Sequence, residues 1–363
     1  AYMAALAMTG EHPQDVLARI AKWQAEGRAC ALVIITHTEG GAVRAPGALL
    51  AVCDTSSLGY ISGGCIDADV ILQARQSLQD NQPRSLRYGA GSRFVDLPLP
   101  CGGAIDVLIA PNPNAESIRT LSQTLASRQP IALAMGRDTD LTATAPGTIP
   151  PNSLHTFIYH PKIRLRIAGR GADALALAKI SDAAGYAVRL QLLDDDDIED
   201  AKRASLKNVE QLTTASGLPD LDDDPWTAFV LLFHDRDWET PLLKQALGGP
   251  AFYIGAVGST RTHAIRCEAL RAANCTEADI ARIHGPIGLV PSLRDASAIA
   301  LSTLAEIVQA ASLRDRAKQN KTALILLAAG ASRRYEHGDK LLAEYVLASK
   351  TLMHFWPPLK PNV

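Results

Sequence analysis

The chain has 363 residues, 47% of them apolar, and a formal net charge of −2, enough for two packed domains with a fragment of a third. The near-neutral balance, with no Lys/Arg stripe carrying interleaved aromatics, excludes an electrostatic nucleic-acid footprint and leaves a small-molecule or protein partner. Residues 1–10 lack the basic start and long apolar core of a signal peptide, no run approaches 18 apolar residues, and six scattered cysteines without a C-x-x-C pair fit neither a disulfide framework nor a zinc site, so a reducing cytoplasm without membrane attachment is expected.

Val16, Leu17, Ile20 and Trp23 share one face of a predicted helix over 15–26, which Gly27 closes. Strands are predicted at 31–36 and 48–52, separated by a polar loop with Gly40-Gly41 and Arg44. A turn over 54–59 delivers the chain to Ile61-Ser62-Gly63-Gly64-Cys65-Ile66-Asp67. Ile66, Val70, Ile71, Ala74 and Leu78 then recur at helical spacing, which puts Cys65 at or near a helix N-terminus, where outward N–H groups favour a thiolate. Gly63 and Gly64 let a ligand approach the backbone closely. Cys101-Gly102-Gly103 repeats the arrangement after the turn-forming Pro98-Leu99-Pro100, and two glycine-flanked thiols suggest one site. Buried packing is the alternative for either cysteine taken singly.

Further strands are predicted at 84–88, 105–110 and 131–134, with a helix over 117–125, so residues 13–136 form a mixed α/β domain. Residues 137–161, rich in Pro, Thr, Gly and Asn toward their C-terminal part, read as a linker. A strand at 163–168 then feeds Gly169-Arg170-Gly171-Ala172-Asp173-Ala174, which fits G-x-G-x-x-G/A. A helix to Ala184 and a strand over 187–193 ending in Asp194 and Asp195 complete a βαβ unit. In such a unit Gly169, Gly171 and Ala174 shape a phosphate or pyrophosphate cradle, and Asp194 or Asp195 can hold a sugar hydroxyl. The same loop without a ligand is a tight strand-to-helix turn. Strands at 209–213, 229–233 and 251–257 alternate with helices, predicting a Rossmann-like, doubly wound parallel sheet over 162–311. His234, Gly258-Ser259 with Arg261, and His284 fall at expected strand ends; for the histidines a structural hydrogen bond and a direct role both stand. A helix over 296–310 closes the domain, with Ser302, Thr303 and Glu306 as satisfied polar positions. A polar break over 312–321 and a strand at 323–327 follow, leading into Ala328-Ala329-Gly330-Ala331-Ser332-Arg333-Arg334 and, further on, Lys340.

Taken together, these motifs resemble the XdhC/CoxI family, accessory proteins that handle molybdenum cofactor for xanthine dehydrogenase-type hydroxylases. The resemblance spans most of 13–311, through Gly40–Gly47, Gly59–Asp67, Cys101–Gly103, the Gly169 loop, the His234 segment, Tyr253–Ser259 and His284–Leu289. The sequence departs from the family pattern at Asp67, where Glu is common, at Arg170, Ala172 and Asp173 in the loop, and at Val290-Pro291-Ser292. The resemblance implies binding of molybdenum cofactor, as molybdopterin or its cytosine dinucleotide, protection of its sulfurated form, and delivery to an apo-hydroxylase alongside a cysteine desulfurase. A chaperone rather than a turnover enzyme is expected, and a homodimer is compatible with it. Residues 322–363 hold a segment, 327–342, that resembles the start of MobA-like nucleotidyltransferases, whose loop reads L-A-A-G-x-S-x-R. Because only some forty residues remain, no transferase activity is expected from them.

On this reading Cys65 and Cys101 face the metal or carry its sulfur, being soft ligands, while backbone nests hold phosphate. Arg44 and Arg261 add charge, and both halves are expected to share one cleft. The alternative is an NAD(P)-dependent oxidoreductase with His234 or His284 as proton donor, which leaves both Cys-Gly-Gly motifs unused. A nucleotide-responsive regulator that binds a partner without chemistry is a third reading.

Overall fold

The structure, a computed structural model, describes residues 12–42, 44–92, 102–136 and 140–332. Helix α1 (Pro13–Ala25) begins with proline, whose missing N–H has no partner to lose there, and buries Val16, Leu17, Ile20 and Trp23. It ends with Arg28 N–H on the Trp23 carbonyl (2.9 Å) and Gly27 N–H on the Gln24 carbonyl (3.0 Å), the paired bonds of a Schellman cap.

Strands β1 (Cys30–Glu39), β2 (Leu49–Cys53) and β3 (Ser57–Gly59), helix α2 (Asp67–Asp80), and strands β4 (Arg84–Gly89) and β5 (Ala104–Pro111) come next. The strands pair antiparallel in the order β3-β2-β1-β5-β4. β1 is apolar from Cys30 to Ile35 because both its faces are covered. Cys30, Leu32 and Ile34 pack with α1 and α3 (Ala115–Ala126), and Ala31, Val33 and Ile35 pack with Ile61, Ile66, Val70 and Ala74. Ile61 and Ile66 thus pin both ends of the 62–65 loop to the sheet. The turn expected over 54–59 is shorter than read, since Ser57–Gly59 pairs with β2.

The stretch expected to be a linker supplies two strands of a sheet. Strands β6 (Ile131–Gly136), β7 (Leu141–Thr144) and β8 (Ser153–Tyr159) pair antiparallel in the order β7-β6-β8. Pro, Gly and Asn are concentrated in the turn over 145–152, which gives the whole stretch a loop-like composition, whereas Leu141 and Tyr159 are buried with α1 and α3. By its contacts the chain divides into two compact units, residues 1–304 and residues 305–363. Within the first, the Arg128 guanidinium grips Asp224 at 2.6 and 2.9 Å and donates to the Lys162 carbonyl at 2.6 Å, while the Lys162 ammonium meets Asp15 at 2.9 Å.

The remaining elements are β9 (Arg164–Gly169), α4 (Gly171–Ala183), β10 (Ala187–Leu192), α5 (Asp195–Arg203), β11 (Val209–Gln211), β12 (Thr227–Leu232), α6 (Arg236–Leu247), β13 (Tyr253–Ala256), α7 (Thr260–Ala272), α8 (Glu277–Ile280), β14 (Ile283–His284) and α9 (Ala296–Ser332). The strands are parallel in the order β11-β10-β9-β12-β13-β14, the doubly wound order whose switch point lies between β9 and β12. An ion pair runs through this sheet's interior: Arg166, 1% exposed, binds Asp223 at 2.7 Å and lies over the Phe229 ring.

α9 replaces the expected polar break and strand over 312–327 with continuous helix. Among the described residues no strand is available to pair with 323–327, and the alanine-rich run there favours helix. The stretch Ala296–Asp315 has a mean hydropathy of 1.4, apolar enough by length and composition to cross a membrane, as core helices also are. Ser302, Thr303 and Glu306 interrupt every contiguous apolar run in it, so run length alone did not register it.

Candidate functional site

The loop before α2 is organised by one carboxylate. Asp67 accepts from the N–H groups of Ile61 (2.6 Å), Gly64 (2.7 Å) and Ser62 (3.2 Å) and from the Ser62 hydroxyl, while that hydroxyl accepts from Ile66 N–H at 3.0 Å. Burial pulls the Asp67 pKa up, but the Ser62 hydroxyl and the Ile61, Gly64 and Ser62 N–H groups outweigh it, leaving the group more acidic than an ordinary aspartate. Gly63 and Gly64 have φ of 75° and 120°, and a side chain at either would meet no atom within 4 Å, so the backbone there is bare. Cys65 follows, exposed, two residues before the first residue of α2. A pre-ordered loop presenting one accessible thiol beside bare backbone can bind a soft metal or accept a sulfur atom.

The Arg44 guanidinium lies 4.5 Å from the ring centre of Tyr60, which brings the cation beside the chain leading into this loop. Gly102 is exposed, and Gly103 packs against the Glu39 carbonyl so closely that any side chain would collide with it. Cys101 lies outside the described residues, as do residues 93–100 with the Pro98–Pro100 turn, residues 1–10, and Arg333 to Lys340. Whether Cys65 and Cys101 meet is therefore not part of the described geometry. Among the described residues no group of three or more His, Cys, Asp or Glu is placed to hold a metal ion.

In the C-terminal half the Gly169 loop has the expected shape and an unexpected charge. Gly169 lets α4 approach β9, since a methyl there would strike Ala174 and Leu232. Yet the N–H of Gly171 donates to the Asp197 carboxylate at 2.6 Å. Arg170 pairs with Asp194 at 3.0 Å and reaches toward Asp235 at 3.9 Å across the switch point, and Asp195 accepts from Gln211 at 2.8 Å. In the described geometry the glycine cradle expected for phosphate and the Asp194 or Asp195 expected for sugar are all engaged within the chain: a carboxylate of the chain itself accepts from the Gly171 N–H, and both acids have partners. A run of four aspartates at the tip of β10 was the available signal.

His234 and Gly258 come together, the imidazole packing on the glycine, while Nδ1 of His234 lies 3.6 Å from Glu239. Glu239 is buried and accepts from Arg266 at 3.0 Å, and Arg266 also donates to the Val257 carbonyl at 2.8 Å. Sequence reasoning missed Glu239 and Arg266; an acid in the first turn of α6, just after His234, was the trace they left. Ser259 caps α7 by accepting from Thr262 N–H at 3.1 Å, so its hydroxyl is engaged, and Arg261 is exposed on the first turn. His284 stacks on Tyr253 with centroids 4.5 Å apart. A cleft of about 450 Å³ opens here between Gly258, Ser259, Pro286, Ile287, Gly288 and Val290, and Ser302 fixes its rim by accepting from Val290 N–H at 2.8 Å. A second, of about 490 Å³, lies between Arg44–Ala48 and Thr156–Tyr159.

Comparison with known proteins adds to this geometry. Residues 165–307 match the XdhC Rossmann domain, and residues 23–89 match the XdhC and CoxI family. The molybdenum cofactor insertion chaperone PaoD of Escherichia coli (strain K12) is 32% identical over 285 residues, spanning 77% of this chain and 83% of PaoD. The uncharacterized protein YqeB of the same organism is 22% identical over 303 residues, 81% of this chain and 46% of YqeB. A crystal structure described as a xanthine dehydrogenase from Bacillus halodurans shares the fold with a TM-score of 0.66, at 20% identity, over 82% of this chain and 96% of that one.

Proposed function

Since this chain belongs to the XdhC and CoxI family, we propose that it is a molybdenum cofactor chaperone, one that binds the cofactor and passes it to a molybdenum hydroxylase apo-enzyme. The observation that carries the reading is the 32% identity to an insertion chaperone over 83% of that chaperone's length. The nicotinamide-dependent alternative has no comparable support.

The residues of the N-terminal half fit a sulfur-ligated metal. The exposed Cys65 thiol offers a soft donor, and the bare backbone at Gly63 and Gly64 leaves room beside it. The cofactor, when bound, supplies the metal and its transferable sulfur. Asp67 holds the loop in place, so that little ordering remains to be done when the thiol engages. Arg44, steadied on Tyr60, contributes positive charge near an anionic ligand. Cys101 is proposed to act with Cys65, with Gly102 and Gly103 at its side. In the C-terminal half, His234, Gly258, Ser259, Arg261 and His284 line or border the strand ends where such folds take ligands. At the Gly169 loop, Asp197 already holds the Gly171 N–H that a phosphate would take.

The same proposal includes a cysteine desulfurase as the source of sulfur, a homodimer as the working assembly, and molybdopterin or its cytosine dinucleotide as the form carried. Of the segment 327–342 that resembles MobA-like nucleotidyltransferases, residues 327–332 are helical in α9, and no transferase step is assigned to it.

Purification from a cofactor-producing host tests the reading. The wild type is expected to carry molybdenum with a pterin that oxidises to a fluorescent product, and to activate an apo-hydroxylase. Cys65→Ser and Cys101→Ser are expected to lose most of that activation. Wild-type protein that carries cofactor, with both variants activating undiminished, would remove the thiols from the proposal; wild-type protein free of cofactor and without effect on the apo-enzyme would overturn the function.

A further inference from the structure

We infer that Asp197 makes the Gly169–Ala174 loop a filter against nicotinamide and adenine dinucleotides, leaving the strand ends of the C-terminal half to another ligand. The inference rests on the reading above, that this half serves a cofactor carrier, and says how such a fold avoids the dinucleotides its topology would otherwise admit.

The strand order and the loop sequence are those of a dinucleotide site: β9 and β12 flank the switch point, and Gly169 lets α4 pack directly on β9. In such sites a pyrophosphate accepts from N–H groups at the start of the helix that follows the first strand, and the positive end of that helix favours its charge. Here the Gly171 N–H already donates to the Asp197 carboxylate at 2.6 Å, a short bond of the kind made to a charged acceptor. A pyrophosphate would have to displace that carboxylate or lie against it.

The neighbouring cation offers no compensation. Arg170, the loop's own basic residue, is held by Asp194 at 3.0 Å and drawn toward Asp235 at 3.9 Å. Releasing it to meet a phosphate would leave Asp194 without its cation beside the incoming anion. Asp194, Asp195, Asp196 and Asp197 follow one another where one acid would serve a ribose, and the last of them sits in the first turn of α5, from which it reaches the loop. Repulsion between like charges at a partly desolvated helix start lowers affinity by about tenfold or more.

The test is titration of the full chain with NADH, followed by fluorescence, with ADP-ribose as competitor. Wild type is expected to show no saturation up to the highest NADH concentration used, while Asp197→Ala and the nearly isosteric Asp197→Asn saturate with a Kd at least about tenfold below that concentration and release NADH to ADP-ribose. Asp196→Asn, which removes the same charge from an exposed neighbour, is expected to gain nothing. Melting curves establish that each variant is folded. Tight NADH binding by wild type overturns the filter, as does failure of both Asp197 variants to gain, or an equal gain from Asp196→Asn. The two readings fail separately: wild type without molybdenum cofactor counts against the chaperone function, whereas NADH binding by wild type counts against the filter whatever cofactor it carries.

Discussion

Asp67 does for the Cys65 loop what a bound ligand does for many loops: it gives the backbone N–H groups a common acceptor and so fixes the path of residues 61–66. Replacing it with alanine strands those donors, at a cost of about 1–3 kcal/mol in a partly buried setting. The pH dependence follows from its acidity. Its folded pKa lies below the unfolded value, so its contribution is complete above the ordinary aspartate pKa of about 3.9 and is lost as pH falls through the folded value. Urea unfolding is expected to show wild type more stable than Asp67→Asn at neutral pH, with the gap closing as the solution is acidified below that range. A gap that does not change with pH would mean that the carboxylate charge plays no part. The sequence placed this residue beside the thiol; that its carboxylate turns back to 61–64 is a matter of side-chain direction that spacing does not encode.

Among elements, β9 shows what a strand pattern leaves open. Ile163 to Ala168 reads as a strand and is one from Arg164 onward, buried from Leu165 although Arg166 in its middle is charged. The charge is tolerated because Asp223, 0% exposed at its side chain, Gln191 and Gln245 satisfy the guanidinium. Arg166→Leu leaves Asp223 buried and uncompensated and is expected to cost about 3–5 kcal/mol, whereas joining it to Asp223→Leu recovers most of the loss. Equilibrium denaturation of the three variants measures this, and a double variant no better than the single one would contradict it. β7 and β8 are the opposite case: strands of ordinary burial joined by a turn rich in Pro, Gly and Asn, whose composition hid them.

At the scale of the molecule, residues 1–304 are one unit, and within it Arg128, Asp224, Lys162 and Asp15 tie the two halves. Arg128 follows α3 of the first half, and Asp224 precedes β12 of the second. Burial raises the Asp224 pKa, and the Arg128 guanidinium, with the Trp226 N–H and the Thr227 hydroxyl, more than reverses this, so the pair weakens as pH falls below the aspartate range. Arg128→Ala is expected to cost about 1–3 kcal/mol and, by uncoupling the halves, to split a single calorimetric transition into two. One unshifted transition in the variant would show that the halves are coupled by other contacts.

The sequence by itself determined the class of the fold, most of its helices and strands, and the family, because periodicity, glycine-marked turns and ordered motifs are local properties of the chain. It located the Cys65 loop and the dinucleotide-type loop for the same reason. Only the tertiary structure decided what those loops can do. Asp67 and Asp197 stand 3 and 26 residues from the N–H groups they occupy at Gly64 and Gly171. The first pairing is set by the loop that leads into α2 and the second by two helices meeting across strand ends. Charge at a binding loop is a sum over everything folded against it, and that sum exists only once the chain has closed.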